Sequence, residues 1–541
     1  MAVQAHTVRR TGGRRPGIAS IDMVDFTGGL NLRDDRFDLR PNESWDLDNV
    51  DVDGAGGFRL RKGFTTEETI GSGSDRCRSI ILNQPDSQVL YHVGGTVYYD
   101  NAGTWTSIGV TGVTAGPCRG VVHKSKLYIQ KYATGDAVTW DGSTLVTLDE
   151  PSVDGWQNDY ASPSGVSMPR ARCIVIRNNF AVIGNTSEDA SGYVKYGCRL
   201  RWSHPADAGS WREDDYIDIN HGMEGDEITA LAKFRDQLIV FKNNSMYAVY
   251  GNTADDLVVT ELAVNIGTPS QETVAETPFG VFFLSRQEGV MLLSEDGLRP
   301  VSDKLRPIWF DGTVNMADIA VSQVGWVNGR LWVSVPHSGS STPNYTYVLD
   351  PETGNGAWTR YSRGFGPFRT SFDSGGRTEL AGDPTGTRIL SLETQVGVDT
   401  VGSTATHIDS YYRTAFLDGG APTRKKRWKR PDFVLRGSTE SELLVEVSKD
   451  FDPSTAPRAF TLTQGADGTG LVWDDGVGGG GDWDSDVWAR SDGDFDVIRR
   501  GASIGNARAI SLKIIGPRGS SNKDWGVNAV TLKFIPRPVR G

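Results

Sequence analysis

Tyr91–Tyr99 reads YHVGGTVYY: an apolar run, two glycines, and a second run that alternates with period two. Gly-Gly supplies the positive φ that a two-residue hairpin turn demands, so this stretch predicts two short antiparallel strands. The pattern returns at Val121–Ile129 (VVHKSKLYI), Cys173–Ile183 (CIVIRNNFAVI) and Leu231–Phe241 (LAKFRDQLIVF). It recurs again at Val281–Leu293 (VFFLSRQEGVMLL), Val327–Val335 (VNGRLWVSV) and, more weakly, Leu380–Leu392 (LAGDPTGTRILSL). The central turns are Gly94-Gly95, Lys124-Ser125, Asn178-Asn179, Arg235-Asp236, Glu288-Gly289 and Asn328-Gly329, of which Gly-Gly and Asn-Gly fit best. Second turns lie between them, at residues 100–105, 140–142 and 349–354, each before another short strand such as AWTRY at 357–361. Hairpin centres fall about 30 to 60 residues apart, bracketing the roughly 40–50 residues of a four-stranded propeller blade. The expectation is an all-β chain: an irregular β-propeller of six to eight blades over residues 65–403. A stacked sandwich is the competing architecture.

Composition agrees with many short strands and tight turns. The chain has 541 residues, of which 38% are apolar, 65 are Gly and 24 are Pro, which argues against a long-helix protein or a coiled coil. No run approaches the roughly 18 apolar residues of a membrane span, so a soluble chain is expected. The first 24 residues carry Arg9, Arg10, Arg14 and Arg15 with no apolar core of a signal peptide behind them, and are expected to be a disordered basic arm. The net charge of −12 disfavours a general nucleic-acid binder. Four cysteines (Cys77, Cys118, Cys173, Cys198) show no C-x-x-C spacing and read as reduced, mostly buried thiols.

After Ser403 the character changes. Residues 404–541 contain an alternating stretch at 408–417, a basic run RKKRWKR at Arg424–Arg430, and strands near 433–435, 443–448, 509–515 and 527–535. A separate C-terminal β-sandwich is expected there. Residues 25–64 hold too few apolar side chains for a core of their own and are expected to be an extended docking segment.

Candidate chemistry is sparse. The seven histidines (His6, His92, His123, His204, His221, His337, His407) have no metal-ligand spacing, and there is no P-loop and no G-x-S-x-G elbow. No catalytic residue, cofactor or metal is assigned, and the chain is read as a non-enzyme. Asp482, Asp484 and Asp486 alternate, as do Asp492, Asp494 and Asp496. Such runs can gather oxygens for calcium, but neither has the Gly and distal Glu of an EF-hand, and a solvated loop is the plainer reading. The run Arg424, Lys425, Lys426, Arg427, Trp428, Lys429, Arg430 has three readings: phosphate contact with Trp428 stacking on a base, contact with an acidic partner surface, or a strand edge guarded by charge.

Residues 25–64 read DFTGGLNLRDDRFDLRPNESWDLDNVDVDGAGGFRLRKGF. The Thr-Gly-Gly-Leu-Asn start, Leu39–Pro41, Asp48-Asn49-Val50-Asp51 and the Gly-rich turn into Arg61-Lys62-Gly63-Phe64 resemble the opening of tail nozzle and tail-hub (stabilisation) proteins of tailed bacteriophages, short-tailed ones in particular. Residues 200–220 (LRWSHPADAGSWREDDYIDIN), 226–251, 280–302 and the strand–Pro422…Lys426-Arg427-Trp428–strand pattern are similar to the same family. The resemblance implies a structural virion protein assembled in a bacterial cytoplasm, a ring of identical subunits (usually a homohexamer) below the portal and adaptor. It further implies a channel for DNA ejection, and anchorage of a fibre, tail needle or tip protein. Phe26, Leu30, Leu32, Phe37 and Leu39 are then the expected docking contacts, and Arg424–Arg430 an inter-subunit or adaptor contact. Two readings of other classes stand beside it. One is a virion-associated propeller enzyme that degrades host glycan, with Trp105, Trp140 and Trp358 stacking on sugars; the other is a non-catalytic carbohydrate-binding tail protein. The same tryptophans suit blade cores equally well.

Overall fold

The computed structural model describes residues 17–71, 75–83, 88–148, 168–188, 192–205, 207–220, 225–251, 256–353, 356–373, 376–437, 441–454, 458–464, 488–489, 495–517 and 523–537. The fold is all-β, a propeller and a sandwich. Seven four-stranded sheets follow one another along the chain. Blades one to five comprise residues 77–107, 119–147, 170–218, 228–264 and 274–300. Blade six draws on residues 323–361, and blade seven on 368–396 with the early strand Lys62–Thr69.

Each blade contains one of the seven sequence hairpins, and the turn chemistry works as read. Val93 pairs with Thr96 across Gly94-Gly95, Arg177 with Phe180 across Asn178-Asn179, and Val327 with Arg330 across Asn328-Gly329. All six of those turn residues have positive φ, the conformation whose twist matches that of the flanking strands. Uneven spacing has a simple origin. The hairpin joins the first two strands in blades two, three, four and six, but the second and third in blades one, five and seven.

The first strands of the blades are Cys77–Asn83, Arg119–His123, Arg170–Arg177, Ile228–Phe234, Val274–Thr277, Gln323–Val327 and Phe368–Asp373. Consecutive first strands lie beside one another, and the seventh returns beside the first, so the ring is closed. The core is distributed between neighbouring sheets: Ile81, Leu90 and Val97 with Leu127 and Trp140, then Cys173, Val182 and Trp202 with Leu231 and Val240. Phe241 and Met246 pack with Phe283 and Met291 in the same way. A strand covered on both faces reads as a continuous apolar run, as Leu238–Phe241 does.

The chain falls into two compact units, one of residues 66–346 and 363–392, the other of 1–65, 347–362 and 393–541. The second unit contains the sandwich. One of its sheets has the order Val50–Val52, Phe58–Leu60, Gly526–Pro536, Asp432–Gly437, Phe495–Arg500, Trp488–Ala489. The other runs Gly29–Leu30, Glu43–Asp48, Tyr411–Thr414, Ile510–Ile515, Ser441–Lys449, Arg458–Gln464. Phe58 from the first sheet stacks on Tyr412 from the second at 4.2 Å, with Phe26 and Trp525 edge-on to Phe58. All four rings are almost fully buried.

Three expectations are corrected here. Residues 25–64 are not an extended docking segment: they supply strands to both sandwich sheets, which gives their few apolar side chains a core built largely by residues from the far end of the chain. The N-terminal arm is shorter than 24 residues, because Ala19–Met23 pairs antiparallel with Val530–Phe534; residues 1–16 lie outside the described residues. The sandwich is not confined to 404–541, since Ala19–Met23, Gly29–Leu30, Glu43–Asp48, Val50–Val52 and Phe58–Leu60 are strands of its two sheets.

Candidate functional site

The stretch that carried the family resemblance builds a polar hub inside the sandwich unit. Arg61 is 4% exposed and forks onto Asp399, Nη1 to Oδ1 at 2.8 Å and Nη2 to Oδ2 at 2.6 Å. Its Nε donates to Asn49 Oδ1 at 2.9 Å. Asn49 sits at φ 54°, a left-handed position that Asn tolerates better than most residues. From there its Nδ2 reaches Ser362 Oγ and the Asp409 carbonyl, both at 2.7 Å. Tyr361 donates its hydroxyl to Asp51. Arg360 reaches Asp46 at 3.3 Å and Asp48 at 3.6 Å. Burial raises the Asp48 carboxyl above its usual range while Arg360 pulls the other way. Asp48-Asn49-Val50-Asp51 and Arg61 thus tie together the three chain segments of this unit.

Of the expected docking contacts, Phe26, Leu30 and Leu39 are buried in the chain's own core, which removes them from any free surface. Leu32 is half-buried and Phe37 is 44% exposed, Phe37 meeting Phe451 edge-on at 5.0 Å.

The basic run divides by strand alternation. Lys426–Trp428 is a strand between Gly505–Ala507 and Gly526–Pro536. Lys426 and Trp428 point inward and are buried. Lys426 Nζ donates to the Ala421, Arg424 and Arg508 carbonyls at 2.6, 3.0 and 2.8 Å, and Trp428 Nε1 to the Ala507 carbonyl at 3.2 Å. Trp428 therefore cannot stack on a base. Arg424, Lys425, Arg427 and Arg430 are exposed, and Lys429 is half-buried. The strand is interior to its sheet, so the charge does not guard an edge.

Asp482, Asp484, Asp486, Asp492 and Asp494 lie outside the described residues, and the Asp496 backbone pairs with Arg436 and Trp488. Among the described residues no group of three His, Cys, Asp or Glu is placed to hold a metal ion, and no helix is long and apolar enough to cross a membrane. Cys77, Cys118 and Cys173 are buried, and burial pushes their thiols up to about 12, about 12 and about 11. Trp140 and Trp358 are buried, which removes those two rings from a sugar platform, while Trp105 is half-buried and donates Nε1 to Glu68 at 3.1 Å.

Sequence reasoning missed the feature that the closed ring creates. The seven first strands surround an axial cavity of about 540 Å³. Its lining carries four cations (Arg78, Arg119, Lys233, Arg369) and two carboxylates (Glu272, Glu276). Arg119 is neutralised by Glu272, Nη2 to Oε1 and Oε2 both at 2.8 Å, and also donates to the Arg172 carbonyl. Glu276 Oε1 accepts the Lys233 backbone N–H at 2.7 Å. No motif announces this set, because the four cations come from four different blades.

No family model matches the chain, and no curated protein matches it. Among solved structures it is similar to BBS1N in complex with ARL6DN, at 12% identity over 61% of this chain and 96% of that one, TM-score 0.37. It is also similar to the extracellular domain of a one-component system from B. thetaiotaomicron, at 11% identity over 78% and 58%, TM-score 0.41. YCF48 from Cyanidioschyzon merolae matches at 12% identity over 60% and 97%, TM-score 0.35. At such scores these likenesses carry nothing about function.

Proposed function

We propose that this chain is a structural subunit of a bacteriophage tail, one copy in a nozzle or hub ring that extends the portal–adaptor channel and anchors a fibre or tip protein. The observation that carries the reading is the resemblance of residues 25–64, extended by 200–220, 226–251, 280–302 and 422–428. Those residues have architectural work within the chain: the polar hub around Arg61, and the loop in which Trp211 is buried and Asp207 caps Gly209 at 2.9 Å.

The inter-subunit or adaptor contact falls to the exposed cations Arg424, Lys425, Arg427 and Arg430, which suit an acidic surface such as this chain's own net charge of −12 provides. Light scattering with negative-stain imaging of the purified protein tests the assembly. A ring near six chains of 58.8 kDa, or rings formed on adding portal and adaptor, is the expected result. Reversing the four exposed cations to Glu, with Lys426 and Trp428 left intact, should abolish rings and leave the monomer's melting temperature unchanged. A strict monomer that ignores those partners and cleaves host glycan would overturn the reading in favour of the enzyme.

A further inference from the structure

The axial cavity holds more positive charge than its own carboxylates neutralise. Among the described residues only Arg119 of the four lining cations makes an ion pair. Arg369 spends one donor on the chain, Nε to the Ile80 carbonyl at 3.0 Å, which ties it to the neighbouring strand two residues along from Arg78. Arg78 Nε and Ser79 Oγ are buried and make no hydrogen bond. Buried donors left in this state are costly unless a ligand or ordered water satisfies them.

The groups converge. Glu272 acts electrostatically on Arg119, Arg369 and Arg76, and Arg76 is depressed by burial and then by Arg78 beside it. Arg76, Arg78 and Glu272 line a second, small cavity together. Arg369 is solvent-accessible, yet burial depresses its guanidinium against the pull of Glu272 and Glu276. Both facts hold together for a side chain that faces water inside the ring and has protein around it.

We propose that the axial cavity binds a small phosphate-bearing anion, held by Arg78 and Arg369. Arginine forks match phosphate oxygens bidentately. A phosphate group brings about −1.5 to −2 charge and three acceptor oxygens, against the two charges by which the lining is in excess, whereas a single carboxylate brings one. The volume exceeds what one phosphate ion needs and falls within the range of small-molecule sites. Low-dielectric walls focus the positive field within a chain that is acidic as a whole.

Isothermal titration of the full chain with pyrophosphate at fixed ionic strength is the test, with malonate as the carboxylate comparison. One pyrophosphate per chain is expected. Arg78→Gln and Arg369→Gln should each weaken binding by about tenfold or more, while Arg299→Gln, exposed on the outer strand of blade five, leaves it unchanged. Circular dichroism of each variant establishes that it is folded, and Arg78→Lys, which keeps the charge and loses the fork, serves if Arg78→Gln is not. Absence of pyrophosphate binding to about 10 mM, or binding that survives both substitutions in folded protein, overturns the site. Equal binding of malonate overturns the phosphate assignment.

Discussion

His92 has no exposed surface; its Nε2 donates to the Val113 carbonyl and its Nδ1 accepts the Cys118 N–H, both at 3.0 Å. A ring that must accept at Nδ1 is neutral. Burial, with Arg78 nearby, lowers its pKa from 6.5 to about 4. The unfolded chain therefore binds a proton that the folded one refuses: the contribution to stability is intact above pH 6.5 and is lost as pH falls toward 4. The loss is about 3 kcal/mol. Denaturant midpoints measured from pH 7 to 4.5 should fall more steeply for the wild type than for His92→Gln. Arg61 gives a second prediction at this scale. Arg61→Ala leaves Asp399 and Asn49 without their shared donor in a buried site, and should destabilise the sandwich unit by about 3–5 kcal/mol. Arg61→Met with Asp399→Leu, which removes both charges, should cost less; if it costs more, the pair itself is stabilising. The buried thiols make a third. At neutral pH a thiol reagent should label Cys198, which is half-buried, well before Cys77, Cys118 and Cys173.

A blade depends on its turns and on the fit of its first strand against the next blade, and two glycines of one hairpin separate these demands. Gly329 has φ +80° and open space around a hypothetical Cβ, so Gly329→Ala should cost only the backbone strain, about 1 kcal/mol. Gly325, at ordinary φ on the first strand of blade six, would place its Cβ 2.4 Å from that of Phe368 in blade seven. Gly325→Ala should therefore force the two strands apart. In double-mutant cycles with Phe368→Ala, Gly325→Ala should couple and Gly329→Ala should not; equal coupling would refute the distinction. The hairpins were legible in advance because Gly-Gly, Asn-Asn and Asn-Gly act on their own backbone and need no distant partner. Blade number was legible only to within six to eight, because the outer strands, such as Val138–Trp140 and Leu145–Thr147, have only three residues each.

For the whole molecule, the decisive pairings are remote in sequence. Ser44 pairs with Thr414, Val527 with Phe58, and Asn49 reaches Ser362 across 313 positions. Removing residues 1–64 takes strands from both sandwich sheets and exposes Tyr412 and Trp525, so such a chain should express as aggregate. A soluble truncated protein with native circular dichroism would contradict the sheet order described above. The charge pattern also belongs to this scale. A net of −12 says nothing of the positive lining at the centre of the ring, because charges on separate strands gather there only after closure.

By itself the sequence determined the all-β class, the seven hairpins with the geometry of their Gly-Gly and Asn-Gly turns, and the inward–outward alternation, all of which depend on interactions within a few residues. Tertiary structure alone decided that residues 25–64 join the sandwich, that Lys426 and Trp428 of the basic run are consumed internally, and that Arg78, Arg119, Lys233 and Arg369 meet around one cavity. Those outcomes follow from strand pairing over hundreds of residues and from ring closure, to which no local preference of the chain is sensitive.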